Sequence, residues 1–110
     1  MARIDQVLSG EKTWGQYALD VLGHAGLGVA YSLPVIFWTW PRWGTVVAIV
    51  AGLAVALLGG AIREFVQYKK SGKLHLFDRV LDVAHHALGV PIALVLAAVA
   101  LASLGIPAVG

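Results

Sequence analysis

Three long apolar stretches constrain what this chain can fold into more than any other feature. They cover residues 17–38, 44–62 and 87–109, and each is close to the length of about 20 residues that a helix needs to cross a bilayer. Hydrophobic residues make up 59% of the chain and charged residues only 13%, whereas a soluble domain carries about 25% charge. A soluble chain of 110 residues also has too little interior to bury so much apolar surface. The sequence therefore predicts an all-α integral membrane bundle of three transmembrane helices.

Local signals set the expected bounds of these helices. Residues 38–43 read WTWPRW, and three tryptophans around a proline indicate a tight turn in an interfacial aromatic belt. Ser71 and Gly72 indicate a loop, and Pro91 predicts a local kink inside the last helix. We expect one membrane domain over residues 1–110, with an interfacial N-terminal segment over 1–16 and helices over about 17–38, 44–66 and 78–106.

The distribution of basic residues predicts the orientation of the bundle. With three spans, the N-terminus and the linker between the second and third helices lie on the same side of the membrane. That side carries seven basic residues and the other side only Arg42. The seven are Arg3, Lys12, Arg63, Lys69, Lys70, Lys73 and Arg79. Because basic residues accumulate on the cytoplasmic side, we expect a multi-pass protein of the inner (plasma) membrane with a cytoplasmic N-terminus.

Ionisable and amide residues occur near that same end of all three predicted helices. They are Asp20 and His24 in the first helix, Glu64 and Gln67 in the second, and Asp82 and His86 in the third. They continue stripes of small residues at a spacing of four, such as Gly52, Ala56 and Gly60 before Glu64, and such stripes let membrane helices approach closely. Ionisable groups inside membranes are usually paired or functional. We therefore predict that these six side chains converge as a cluster that binds a ligand or transfers a proton.

A simpler interpretation is that polar groups near helix ends only extend towards water. It suits the lysines better than His24 and Glu64, which lie deeper in apolar sequence. We expect the basic residues around the cluster to contact lipid headgroups. They are Arg63, Lys69, Lys70, Lys73 and Arg79.

The order of these polar positions resembles that of the VanZ-like family of small polytopic bacterial membrane proteins. Members often show Asp four residues before His, then Glu-x-x-Gln, then Asp-x-x-x-Asn-x-x-Gly entering the next helix. The counterparts here are Asp20 with His24, Glu64 with Gln67, and Asp82 with His86 and Gly89. His86 stands where the family usually has Asn, and the chain has one helix fewer. The resemblance implies an envelope-associated membrane role, linked in one branch to glycopeptide antibiotic tolerance.

Three classes of function fit these features. The first is a VanZ-like envelope protein whose polar cluster engages an anionic lipid or a lipid-linked headgroup. The second is a non-catalytic protein, either an accessory subunit of a membrane complex or a phage-type holin. The third is a metal-dependent membrane enzyme with nitrogen and oxygen ligands. Its ligand set would be His24, Glu64, Asp82 and His86.

Composition narrows the partners and cofactors. The chain has no cysteine, which excludes thiolate metal sites and disulfides. We expect no cofactor and no metal, and we leave open whether the chain is an enzyme. The lysines flank apolar helices instead of forming a separate basic domain, so no nucleic-acid partner is expected. Membrane lipids are the expected partners, with a homo-oligomer or a larger membrane complex left open.

Overall fold

Five helices make up the computed structural model, which describes residues 3–72 and 75–107. They are α1 (Ile4–Leu8), α2 (Trp14–Trp43), α3 (Thr45–Ser71), α4 (Leu76–Ala87) and α5 (Gly89–Ser103). Three helices are long and apolar enough to cross a membrane, namely Trp14–Trp43, Thr45–Ser71 and Leu76–Ser103, the last combining α4 and α5. The described ranges contain no strand. The predicted all-α fold with three candidate transmembrane helices is therefore confirmed, while the side of the N-terminus stays a prediction.

Helix α2 is longer than expected at both ends. Thr13 caps it through a capping box. The backbone nitrogen of Gln16 donates to the Thr13 hydroxyl (3.1 Å), and the backbone nitrogen of Thr13 donates to the side-chain oxygen of Gln16 (2.8 Å). At the other end, residues 38–43 are helical, so the predicted tight turn over them is wrong. Gly44 alone reverses the chain, with φ of 92°, a conformation that costs glycine little. Trp40 Nε1 donates to Thr45 Oγ1 (3.1 Å) across this reversal.

The third apolar helix is interrupted at one residue, Leu88. Helix α4 ends at Ala87, and the backbone nitrogen of Leu88 donates to the His85 carbonyl three residues earlier (3.1 Å). Pro91 lacks the N–H that would bond to the Ala87 carbonyl four residues earlier, and its ring crowds that oxygen. The predicted kink is thus an interruption one turn before the proline that causes it.

Helix α3 packs against the rest of the bundle through every fourth residue. Its buried residues are Ala48, Gly52, Ala56, Gly60 and Glu64. A Cβ atom added at Gly52 would lie 2.7 Å from Ile36 Cδ1, which shows how closely α2 and α3 approach. The predicted small-residue stripe of this helix therefore faces the bundle interior and leads directly to Glu64.

The outer surface of the bundle is apolar. Large aliphatic side chains on all three spans are more than half exposed, among them Leu19, Val46, Leu58, Val95 and Val99. Such a surface would be costly in water, but it matches the hydrocarbon interior of a bilayer.

Candidate functional site

Four ionisable side chains are buried where α2, α3 and α4 meet. His24 comes from α2, Glu64 from α3, and Asp82 and His86 from α4; their exposed fractions are 3%, 3%, 6% and 0%. Asp20 is half-buried one turn before His24. The structure thus brings together five of the six residues predicted to cluster, and Gln67 reaches the same group through Glu64. Burying charge is costly unless it is paired, so the contacts of each group determine what the site can do.

His24 lies at the centre of this cluster. Its Nε2 atom is 3.7 Å from Glu64 Oε1 and 3.9 Å from Asp82 Oδ1. Its Nδ1 atom lies 2.7 Å from the backbone carbonyl of Asp20, and a carbonyl oxygen can only accept. Nδ1 therefore carries a proton and donates it to that carbonyl, which directs Nε2 towards the two carboxylates.

Glu64 is compensated by two guanidinium groups. Arg79 Nη1 lies 3.0 Å from Glu64 Oε2, and Arg63 Nη1 lies 3.5 Å from Glu64 Oε1. With its amide oriented to satisfy both neighbours, Gln67 donates to Glu64 Oε2 (3.2 Å) and accepts from Arg63 Nη2 (3.2 Å). These charge-assisted hydrogen bonds offset the desolvation of a nearly buried carboxylate.

The two arginines point inward in the structure. Arg79 Nη1 also donates to the Glu64 backbone carbonyl (3.1 Å), and its Nη2 donates to Ser71 Oγ (3.3 Å), so it ties α4 to α3. Arg63 Nη1 lies 3.4 Å from His24 Nε2. Contacts of Arg63 and Arg79 with lipid headgroups stay a prediction. Lys69 and Lys70 are exposed in the last turn of α3, and Lys73 lies outside the described residues.

His86 is enclosed by small residues and by an aromatic ring. Its Nδ1 atom donates to the Asp82 carbonyl (2.6 Å), and its ring stacks on Tyr31, with 6.0 Å between centroids. A Cβ atom at Gly60 would lie 2.8 Å from His86 Nδ1, and one at Gly28 would overlap the His86 carbonyl. Gly60 therefore makes space for the imidazole, and Gly28 makes space for the backbone of His86. Within the described part of the chain, His86 Nε2 has no hydrogen-bond partner.

The two buried histidines lie in two similar segments of the sequence, a repeat that the spacing of polar residues did not indicate. Residues 19–29 read LDVLGHAGLGV and residues 81–90 read LDVAHHALGV, one residue shorter. In both copies, Nδ1 of the histidine bonds to the carbonyl of the aspartate four residues earlier. Comparing the chain with itself would have revealed this pairing. Tyr17 and Tyr31, whose rings contact His85 and His86, carry no comparable signal.

A second set of ligand-type atoms differs from the one expected. One ligand atom each from His24, Asp82 and His85 lies within 4.8 Å of the other two. No metal was expected, and the ligand set suggested for the alternative of a metal-dependent enzyme was His24, Glu64, Asp82 and His86. In the structure, His86 Nδ1 is occupied by the Asp82 carbonyl, and Glu64 is held by Arg63 and Arg79. His85, and not His86, lies with His24 and Asp82 in this set.

A cavity of about 380 Å³ opens beside the cluster. Glu64 and Asp82 line it together with the cationic residues Arg3, Lys70 and Arg79. Four further lining residues are Gln67, Ser71, His75 and Asp78. The cavity therefore places positive charge from the N-terminal segment, α3 and α4 around three carboxylates, those of Glu64, Asp78 and Asp82.

Arg3 fastens the N-terminal segment over this cavity. Its Nη1 atom lies 3.3 Å from His75 Nε2, and its Nε atom lies 3.9 Å from Asp78 Oδ2. Arg3 also hydrogen-bonds to Asp5, which lowers the pKa of that exposed carboxyl from its ordinary value. The segment before α2 thus contributes to the polar end of the bundle.

The chain matches no family model, no curated protein and no solved structure. Its likeness to the VanZ-like family rests on the Asp20–His24, Glu64–Gln67 and Asp82–Gly89 spacings alone, and it stays a prediction. The cluster and its cavity are therefore the features that bear on function.

Proposed function

We propose that the protein binds the anionic headgroup of a lipid or lipid-linked molecule at the polar end of its bundle. The observation that supports this proposal best is the cavity of about 380 Å³, to which Arg3, Lys70 and Arg79 each contribute a cationic side chain. A membrane protein meets headgroups at the end of its helices, and phosphates attract basic side chains there.

The charges around the cavity favour a phosphate as the anchoring group. Lys70 makes no hydrogen bond or ion pair with any other residue that the structure describes, so its ammonium group is available. Arg3 Nη1 faces the His75 ring, whereas Nε and Nη2 of the same guanidinium donate to Asp5. A phosphate would receive charge-assisted hydrogen bonds from both cations.

The carboxylates favour a headgroup that also carries hydrogen-bond donors. Glu64 and Asp82 line the inner side of the cavity and can only accept when they are ionised. Hydroxyl or amino groups next to a phosphate would donate to them, whereas a bare phosphate would be repelled. A polar lipid with hydroxyl or amino substituents is therefore the class we propose.

The buried part of the cluster gives this site a chemical role beyond binding. The six residues of the cluster would orient the headgroup or exchange a proton with it. They are Asp20, His24, Glu64, Gln67, Asp82 and His86. Since His24 Nε2 lies between Glu64 and Asp82, it is the group in this set that would accept or release the proton. We propose an envelope role on the cytoplasmic face, in keeping with the seven basic residues of that side.

A lipid-dependent melting experiment tests the proposal. Protein purified in a neutral detergent should melt at a higher temperature with an anionic phospholipid than with a zwitterionic one, because a ligand that binds only the folded state stabilises it. Lys70→Gln should reduce this shift mildly, and Arg3→Gln should reduce it further. Arg42→Gln, at the opposite end of α2, is the control and should leave the shift unchanged. Equal shifts with both lipids would contradict headgroup binding.

A further inference from the structure

We infer that His24, Asp82 and His85 form a binding site for a divalent transition-metal ion between α2 and α4. This inference does not rest on headgroup binding, although Asp82 also lines the cavity. The ligand atoms of the three residues lie within 4.8 Å of one another. Two imidazoles and a carboxylate are the donor set that zinc, iron and manganese sites use.

The spacing of the donors suits one shared ion. Ligands bound at about 2.0–2.2 Å to a tetrahedral zinc ion lie about 3.3–3.6 Å from each other. His24 Nε2 and Asp82 Oδ1 are 3.9 Å apart, which is longer than a hydrogen bond. Contraction by about half an ångström would close this pair around a cation, and a pair at the 4.8 Å limit of the set would have to close by about 1.3 Å.

His24 is already oriented as a metal ligand. Histidines that bind metals usually donate their other ring N–H to a carbonyl or carboxylate, and His24 Nδ1 donates to the Asp20 carbonyl. Its Nε2 lone pair then faces Glu64 Oε1 at 3.7 Å and Asp82 Oδ1 at 3.9 Å. A lone pair opposite two carboxylates is repelled unless positive charge lies between them.

His85 provides an independent observation that a partner belongs here. Its Nδ1 atom is buried and has no hydrogen-bond partner in the part of the chain that the structure describes. Buried polar atoms without partners are rare and costly. Tyr17 contacts the His85 ring edge-on, with 6.1 Å between centroids, and so limits its rotation. Coordination through Nδ1 would offset the cost of burying it.

Arg63 is the group that a metal ion would have to displace. Its Nη1 atom lies 3.4 Å from His24 Nε2 and supplies positive charge there. The Arg63 side chain is 33% exposed, so it can turn away towards water or headgroups. Arg79 is bound to Glu64 and would not have to move when a metal ion replaces Arg63. Arg63 and the metal therefore compete for one position.

Metal titration of purified protein tests this inference. Chelator-treated protein in neutral detergent is dialysed against Zn²⁺ or Co²⁺, and bound metal is measured by elemental analysis and by the visible absorption of Co²⁺. We expect about one ion per chain, with His85→Ala and Asp82→Asn each weakening binding at least about 10-fold. Glu11→Gln changes an exposed carboxylate outside both the cluster and the cavity, and it should bind metal as the wild type does.

The Arg63→Gln variant tests the metal site by a gain of affinity, which a folding defect cannot produce. Removing a competing cation should tighten metal binding by about 10-fold, and a misfolded variant would not gain affinity. Folding of each variant is checked by circular dichroism. The inference is overturned if the wild type binds no metal above background, if His85→Ala binds as tightly as the wild type, or if Arg63→Gln fails to gain affinity.

Discussion

His24 Nε2 lies 3.7 Å from Glu64 Oε1, so side chains from α2 and α3 meet at a position that is closed to solvent. Both residues are 3% exposed. Neither could be buried there alone, because an ionised carboxylate needs the arginines and the imidazole around it. This contact joins α2 to α3 at the polar end of the bundle.

Replacing Glu64 by Gln should destabilise the bundle without preventing membrane insertion. The change removes the charge that Arg79 and Arg63 compensate and leaves two cations near each other. We expect a loss of roughly 1–3 kcal/mol in the free energy of unfolding and loss of the lipid-dependent melting shift. Unfolding in mixed micelles measures the change in the free energy of unfolding. Glu11→Gln, at an exposed position, is the control. A variant that melts and responds to lipid like the wild type would show that Glu64 is not the centre of this unit.

Gly28→Ala should disrupt the crossing of α2 with α4. A Cβ atom there would overlap the His86 carbonyl oxygen and lie 2.8 Å from its carbon, and a backbone atom cannot rotate away. Overpacking of this kind costs about 1–3 kcal/mol. Gly26→Ala is a matched control two residues away, since its added Cβ would meet nothing within 4 Å. The two variants should therefore differ clearly in thermal melting, and similar melting temperatures would contradict the close approach.

Gly52→Leu should separate α2 from α3 along their length. A Cβ atom at this position would already lie 2.7 Å from Ile36 Cδ1, and leucine adds three further carbons. We expect a lower melting temperature and a weakened contact between His24 and Glu64. Val50→Leu, on the exposed face of the same helix, should have almost no effect. If both variants melt alike, α3 packs through a different face.

Reporter fusions should place residue 72 in the cytoplasm and residue 110 outside. The reason is the seven-to-one distribution of basic residues between the two ends of the bundle. A pair of fusions at these positions, each with an activity that depends on compartment, measures the orientation. Both fusions reporting the same side would exclude three spans, and the reversed pattern would exclude the cytoplasmic N-terminus.

The sequence predicts the class of fold and the composition of the cluster because both follow from simple periodicities. Apolar length fixes the number of spans, and small residues every fourth position fix the face of α3 that reaches Glu64. The direction of long side chains is harder to predict. Arg79 turns inward to Glu64 because the buried carboxylate outweighs its access to water, and no local pattern indicates that outcome.

The distinction between His85 and His86 also lies beyond sequence patterns. Neighbouring residues on a helix point about 100° apart, so the rotation of α4 decides which imidazole reaches His24 and Asp82. That rotation depends on the interruption at Leu88 and on the crossing near Gly28. The bounds of α2 were missed for a related reason, since one glycine at position 44 provides the reversal expected over residues 38–43.

The reversal at Gly44 determines how the far end of the bundle responds to movement. His24 and Glu64 are each twenty residues from Gly44 along the chain, so they form the tips of two arms of equal length, about 30 Å each at 1.5 Å per residue. The arms share a pivot fastened by the Trp40–Thr45 hydrogen bond. A change of about 2° in the angle between the arms alters the tip separation by about 1 Å, which is enough to make or break the contacts between His24 and Glu64.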